Sequence, residues 1–349
     1  MPWGSTLDPA VAAARLEELL TPRITPGSLS GACSRLRRLC AAWRNGCPPP
    51  WPAPGLAVTA EIACQSELWL PLAAISPPFE TLYRTSLRYT PHLSSTPFAS
   101  AGSWAGLVTA LPPFLAHLSS PDRMMEALLA DDDLRRRFLF WSFLPDRFYG
   151  GFRRYPAQLE YLHGWLKQRS GSRLRLLDAA CGTGEGSYDL AHTARAAGIA
   201  ADRLQIEGWT LEPLEVWAAC HAAFPHDLQR ERQFRSTTAD ILDSAYAACL
   251  SFRPADLTDV TAVQRSERFD LIVCNGLLGG PIIHQPARIR RVLDTLVSLL
   301  APGGMLLAAN SFHGGWQKRC PVDMLEGLMG ERNLQVSVAG EGLAGFLTS

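Results

Sequence analysis

The chain has 349 residues, 47% hydrophobic and 19% charged, and its 33 basic and 33 acidic side chains cancel to a formal charge of zero. That balance excludes long-range electrostatic steering as the basis of a partnership with nucleic acid or an acidic membrane, while the apolar content suffices for one large core or two modest ones. No apolar run has the length and purity of a membrane span, Met1-Pro-Trp-Gly-Ser-Thr-Leu-Asp8 lacks the basic-then-apolar order of a secretory leader, and nine cysteines are an odd count for a disulfide framework.

Residues 1–150 read as a mainly helical N-terminal domain with a Pro-rich loop. Asp8 is positioned to cap the first of two helices across residues 8–45, which Thr25-Pro-Gly-Ser28 divides. Cys33, Cys40 and Cys47 recur every seventh residue, which puts small apolar side chains on one helix face and is not the spacing of a zinc site. Cys47-Pro-Pro-Pro-Trp-Pro-Ala-Pro-Gly55 is a semi-rigid connector. Short helices and loops are expected over 56–120, then a helix from Pro121 with Ser120 as its cap. The acidic Asp131-Asp-Asp133 and basic Arg135-Arg-Arg137 runs fit a solvated helix terminus. Tyr155 to Lys167 is a further helix, leading into the next region.

From Leu174 onward the pattern alternates between strands and helices, the mark of an α/β fold with a doubly wound, mostly parallel sheet. Seven strands are expected, at 174–178, 205–210, 250–254, 269–274, 304–310, 333–338 and 344–348, with helices at 186–197, 213–224, 286–300 and 321–330. The segment Gln229 to Ala248 reads as helical. The domain boundary falls between 150 and 151.

The densest signal is Leu174-Arg-Leu-Leu-Asp-Ala-Ala-Cys-Gly-Thr-Gly-Glu-Gly-Ser-Tyr188. An apolar strand ends on Asp178, a turn carries Gly182, Gly184 and Gly186, and a helix follows. Strand, glycine turn and helix bring a nucleotide-like ligand against bare backbone at the carboxyl end of a parallel strand. The acid just before the glycines, and their spacing, separate the turn from a dinucleotide fingerprint and disfavour a nicotinamide dehydrogenase. The segment resembles motif I of the class I S-adenosylmethionine (SAM)-dependent methyltransferases, and that resemblance implies a Rossmann-like sheet closing on a hairpin with an antiparallel strand.

The same resemblance implies a set of cofactor-binding residues. Asp178, Ala180, Gly182 and Gly184 form the turn, and Glu185 accepts from the cofactor's ammonium group. The next strand, Leu204-Gln-Ile-Glu-Gly-Trp-Thr-Leu-Glu-Pro213, has Thr210 where the family most often has an acid, so Glu212 becomes the candidate ribose contact. Glu212 also suits the cap of the helix that Pro213 begins. In Phe252-Arg-Pro-Ala-Asp-Leu-Thr-Asp259, Asp256 and Leu257 fall where the adenine contact is expected, and a plain turn aspartate is the other reading of Asp256. Arg268-Phe-Asp-Leu-Ile-Val-Cys-Asn-Gly276 is a buried strand whose carboxyl end puts Asn275 beside the transferable methyl, and Pro302-Gly-Gly304 is a further hallmark turn.

Within that superfamily, Ala179-Ala-Cys-Gly-Thr-Gly-Glu185 is similar to the Ala-Cys-Ser-Thr-Gly-Glu-Glu motif of the chemotaxis receptor methyltransferases, the CheR family. Phe152-Arg-Arg-Tyr-Pro-Ala-Gln158 resembles that family's Phe-Phe-Arg-Asp-Pro segment, which maps Arg154 onto a cofactor-contacting arginine. The resemblance covers about residues 145–312. The family's Arg-Asn-x-x-Ile-Tyr-Phe sequence is replaced here by Asn275-Gly-Leu-Leu-Gly-Gly-Pro281, so the receptor-glutamate substrate does not transfer with the scaffold. The expectation is methyl transfer from SAM to a protein carboxylate or a small molecule. The alternative is a catalytically degenerate SAM-binding or scaffolding protein acting through its N-terminal domain. His284 and His313 are weak candidates for a base, with Asn275 as a positioner. A cytoplasmic location is expected, with no metal, nucleic-acid or membrane partner.

Overall fold

The computed structural model describes residues 2–46, 57–145, 150–259, 268–280, 282–309 and 314–347. The Pro-rich segment, residues 47–55, and His313 lie outside the described residues. The chain divides into two compact units, one made of Met1–Ala12, Tyr149–Ala223 and Gln229–Ser349, the other of Ala13–Phe148 and Phe224–Leu228. This differs from a simple cut at residue 150: the first twelve residues fold with the sheet, and Phe224–Leu228 with the helices.

The helical unit includes Ser30–Gly46, Ala60–Trp69, Leu72–Ser86, Trp104–Thr109, Pro121–Ala130 and Asp132–Phe143. Cys33, Leu36 and Cys40 share the buried face of the first of these. Asp131 accepts from the Asp133 and Leu134 amides and caps the last helix. Ser120 is the N-cap of Pro121–Ala130, but its hydroxyl engages Asp122 and not the backbone. An aromatic core joins Phe79, Tyr83, Phe98, Phe138 and Phe143. Within it the Tyr83 hydroxyl donates to Ser142 Oγ at 2.9 Å, which satisfies a phenol that burial would otherwise penalise.

In the other unit the strands are β1 (Trp3–Gly4), β2 (Leu174–Asp178), β3 (Leu204–Thr210), β4 (Leu250–Pro254), β5 (Phe269–Val273), β6 (Leu300–Ala309), β7 (Leu334–Ala339) and β8 (Gly342–Leu347). They form one sheet in the order β1-β4-β3-β2-β5-β6-β8-β7. Strands β2 to β6 run parallel, and β8 pairs antiparallel with both β6 and β7. The sheet therefore has eight strands where seven were expected. The extra one, Trp3–Gly4, lies antiparallel on the outer edge of β4. Two residues are too short for any periodic signal, and what fixes them is long-range. The Ser5 and Thr6 amides donate to the Leu250 and Cys220 carbonyls, and the Trp217 indole donates to the Ala12 carbonyl. Strand β6 begins at Leu300, earlier than the expected 304, because Ala301-Pro-Gly-Gly304 continues the strand through a register shift against β5.

Helices Glu185–Ala196, Pro213–His221, Pro286–Ser298 and Val322–Gly330 alternate with the strands, and the insertion before β4 is helical at Leu228–Leu242. Leu177, Trp209, Ile272, Val292, Leu296 and Leu306 belong to the core against the sheet. Strands buried on both faces read as continuous apolar runs, and β5, Phe269-Asp-Leu-Ile-Val273, is of that kind. Among the described residues no helix is long and apolar enough to cross a membrane.

Candidate cofactor site

The site is built at the carboxyl end of β2. The Ala179 amide donates to the Val273 carbonyl of β5, and the Cys181 amide to the Trp209 carbonyl of β3. The chain leaving β2 is thereby pinned to both neighbouring strands before it turns. Between these two anchors the Ala180 amide donates to the carboxylate of Asp178. Gly182 and Gly184 then take left-handed backbone angles, φ 52° and 96°. A Cβ on Gly182 would meet no atom within 4 Å, whereas one on Gly184 would come within 2.9 Å of Ala219 Cβ. The first glycine thus faces open space and the second allows close packing. Gly186 also needs its missing side chain, because a Cβ there would lie 2.8 Å from Asp178 Oδ2.

Around this turn the structure gathers buried polar groups. Ser187 Oγ donates to Asp178 Oδ2 at 2.8 Å. Thr183 Oγ1 donates to the Glu185 carboxylate, at 2.8 Å from both oxygens. Arg230, from the insertion helix, reaches in and donates through Nη2 to Thr183 Oγ1 at 2.6 Å and to Glu185 Oε1 at 3.2 Å. Arg230 and Glu185 are each only 6% exposed, so this is a buried ion pair and not a surface one. Glu215, on the helix after β3, accepts from the Thr210 hydroxyl.

Burial dominates the acid–base character of these carboxyls. Asp178 is pushed up to about 7 by desolvation, against the hydrogen bonds from Ser187 and Ala180, with Glu185 and Asp189 adding negative charge. Glu215 is likewise pushed up to about 7 by desolvation, with Thr210 and Arg230 pulling down and Glu185 pushing up. Burial also lifts Asp189 to about 6, partly offset by the Arg153 amide it accepts from. Desolvation holds the Cys181 thiol well above its ordinary range and lifts Cys274 to about 12, so neither is a poised nucleophile.

The remaining expected residues fall as follows. Glu212 is the N-cap of Pro213–His221 and accepts from the Leu214 amide at 3.1 Å, so one of its oxygens serves the helix. Asp256 follows β4, where its Oδ1 accepts from the Thr258 amide and hydroxyl, the local turn chemistry weighed against an adenine contact. Leu257 is buried in the core beside the sheet. Arg154 stacks its guanidinium toward the Tyr155 ring, 5.7 Å from the centroid. It follows a tight bend made by Gly151 (φ 71°) and Arg153 (φ 52°), which the Arg153 amide pins to Asp189.

Asn275, just beyond β5, is held by neutral amides. Its Nδ2 donates to Gln158 Oε1 at 2.7 Å, and its Oδ1 accepts from the Ala309 amide at 2.8 Å. Gln158 is in turn fixed by the β7–β8 turn, where Glu341 accepts from the Ala157 and Gln158 amides. His284 is exposed, in the loop beyond the Leu278–Ile283 bridge. The carboxyl edge therefore brings together Asp178, the glycines and Glu185, and binds Asn275 into a separate polar knot. Sequence reasoning missed Arg230, Glu215, Asp189 and Gln158. Arg230 had one usable signal: Arg230, Phe234, Thr238 and Ile241 are the buried positions of Leu228–Leu242, at the 4-4-3 spacing of a helix face. Among the described residues no group of three or more His, Cys, Asp or Glu side chains is arranged to hold a metal.

A parallel sheet ending in an antiparallel hairpin, with a glycine turn and buried acids at the end of β2, is the arrangement of the class I methyltransferase fold. Residues 151–312 match the model of the CheR methyltransferase SAM-binding domain. The chain is 32% identical over 168 residues to the probable biofilm formation methyltransferase WspC of Pseudomonas putida KT2440, a match over 44% of this chain and 39% of that protein. It thus spans about two fifths of the length of that curated relative. Among solved structures it is similar to the N-methyltransferase NodS of Bradyrhizobium japonicum WM9 in complex with S-adenosyl-L-homocysteine. That match is 18% identical, with a TM-score of 0.39, over 62% of this chain and 99% of that one. It is also similar to a putative rRNA methylase from Clostridium thermocellum, 13% identical with a TM-score of 0.37, over 55% of this chain and 96% of that one.

Proposed function

We propose that the chain is a SAM-dependent methyltransferase whose donor lies against the Asp178–Glu185 turn. The observation that carries this reading is the pairing of an open glycine with buried charge. Gly182 has free space where a Cβ would stand, and next to it a carboxylate and a guanidinium sit side by side. A methionine moiety is a zwitterion, and an adjoining acid and base are the donor set it calls for. Bound there, SAM supplies an electrophilic methyl on a sulfonium.

The residues of this chain have four tasks. Gly182 and Gly184 admit the ligand to the backbone, and Glu185 accepts from its ammonium group. Glu212 contacts the ribose and Asp256 the adenine, and each also accepts a local hydrogen bond that fixes its backbone turn. The segment 151–155 presents Arg154 to the same ligand. Asn275 fixes the end of β5, where the acceptor has to be positioned for an in-line displacement. A carboxylate acceptor requires no general base, whereas a hydroxyl or amine acceptor calls for one, for which exposed His284 is a candidate.

The acceptor is a protein side chain or a small molecule carrying a nucleophilic oxygen or nitrogen, and the zero net charge favours neither nucleic acid nor an anionic surface. Free thiols throughout the described cysteines favour a reducing cytoplasm. Titration calorimetry with S-adenosylhomocysteine tests the donor half, and no binding at sub-millimolar ligand sinks it. Labelled SAM incubated with cell extract, with proteins and small metabolites resolved separately, tests the acceptor half. Donor binding without label transfer favours the degenerate, scaffolding reading, for which the altered Asn275–Gly280 loop is the motive.

A further inference from the structure

We propose that Arg230, on the insertion helix, is a positioning residue for the donor: through Thr183 and Glu185 it sets the carboxylate that receives the methionyl ammonium. This deepens the donor reading above and rests on it.

The insertion between β3 and β4 is expected to differ among proteins on this scaffold, because a surface connection tolerates change. Here it is not a free appendage. Leu228–Leu242 buries one face, made of Arg230, Phe234, Thr238 and Ile241, and the first two of these reach the donor site. Arg230 hydrogen-bonds to the turn itself. One helical turn on, Phe234 packs edge-on against Tyr188 of the motif helix at 5.4 Å, and against Phe152 of the arginine-bearing segment at 5.0 Å. On its flank, the Thr237 carbonyl meets His192 Nε2 at 3.2 Å, and Asp240 pairs with Arg195 at 3.1 Å. The insertion helix thus ties the glycine turn to the segment that presents Arg154.

The electrostatics give Arg230 a task beyond packing. Glu185 shares its neighbourhood with Asp178, Asp189 and Glu215, and it raises the proton affinity of all three. A carboxylate in that company needs an opposite charge to hold one orientation. Arg230 supplies it with charge-assisted hydrogen bonds to Glu185 and to the hydroxyl that bridges both Glu185 oxygens. Thr183 is the coupling element: it donates to Glu185 and accepts from Arg230, so the three groups form one chain.

The test compares two ligands. S-adenosylhomocysteine carries the amino-acid moiety, and 5′-methylthioadenosine lacks it. Calorimetry on the full chain with Arg230→Met should show S-adenosylhomocysteine binding weakened about tenfold or more, the scale of a lost charge-assisted hydrogen bond. Methylthioadenosine should bind within about twofold of wild type. Arg230→Lys should recover part of the preference, and Thr183→Val should lose part of it in a chain whose buried charge pair is intact, which keeps the test decisive if Arg230→Met misfolds. Equal weakening of both ligands would make Arg230 merely structural and overturn the proposal, as would no weakening of either. Wild-type protein that binds S-adenosylhomocysteine no better than methylthioadenosine sinks this proposal alone. Wild-type protein that binds neither ligand sinks the donor reading with it.

Discussion

The carboxyl ends of the adjacent strands β2 and β5 are built from opposite materials. Beyond β2, Asp178, Glu185, Glu215 and Arg230 bury ionisable groups around a glycine turn. Beyond β5, Asn275 is held by Gln158 and the Ala309 amide, a knot of neutral amides. Buried charge is costly unless something compensates it, so the β2 end keeps its acids only with an arginine and hydroxyls arranged against them. Neutral amides satisfy one another and demand nothing further. On the proposed donor reading the difference separates two tasks: the β2 end receives a charged ligand, and the β5 end serves as a frame.

The hardest test of this contrast is at the glycines. Gly184→Val forces a left-handed residue with a branched side chain into the space of Ala219 and Phe252. S-adenosylhomocysteine binding should be abolished and the sheet unit destabilised by about 3 kcal/mol. Gly182→Ala is the informative partner, since its Cβ meets nothing in the protein. That variant should fold with only the left-handed cost of about 1–2 kcal/mol, and still bind donor more weakly. Calorimetry that finds donor affinity unchanged in Gly182→Ala would mean the ligand does not lie over this glycine.

A smaller effect is expected at the frame. Gln158→Ala removes both amide contacts to Asn275 and should destabilise the sheet unit by about 1–3 kcal/mol. Its affinity for S-adenosylhomocysteine should stay within about threefold of wild type. A tenfold loss of donor affinity would erase the distinction between the two strand ends and make Asn275 a donor contact in its own right.

How legible these two ends were in the sequence follows from the range of the interactions that make them. The glycine turn is local: fifteen consecutive residues, Leu174 to Tyr188, supply the strand end, the left-handed positions and the helix start, so this segment could be read directly. The same holds for β5, whose apolar run is its own signal, and for the helical insertion. The polar groups that complete the site are not local. Arg230 reaches Glu185 across 45 positions, and Asn275 reaches Gln158 across 117. Nothing near Arg230 in the chain distinguishes it from Arg232 or Arg235 except the helix face it occupies. Strand β1 was invisible for a related reason, since two residues carry no period and only their pairing with Phe252 and Ser251 makes them a strand. Glu212 carries the signal of both a ligand contact and a helix cap, and Asp256 of both a ligand contact and a turn aspartate, and their local hydrogen bonds match the cap and the turn.

The finest distinction between the two ends is their response to pH. Asp178, Asp189 and Glu215 have folded-state proton affinities raised to about 7, 6 and 7, above the ordinary carboxyl range of their unfolded forms. Between those limits the native state holds protons that the unfolded chain has released. The stabilising contribution is complete below about pH 4 and is lost as pH rises through 6 to 7. Wild-type stability should therefore decline from pH 5 to pH 8. Glu215→Gln replaces a protonated acid by an amide of similar shape and removes that group from the linkage. Its melting temperature should exceed wild type at pH 8 by about 2–4 °C and converge with it at pH 5. Gln158→Ala, with no titrating group, should lower melting equally at both pH values. Scanning calorimetry at pH 5, 6.5 and 8 resolves the two behaviours. If Glu215→Gln declines as steeply as wild type, then the protons at the β2 end belong to Asp178 and Asp189, and the cluster around Glu185 acts as separate acids, not as one coupled group.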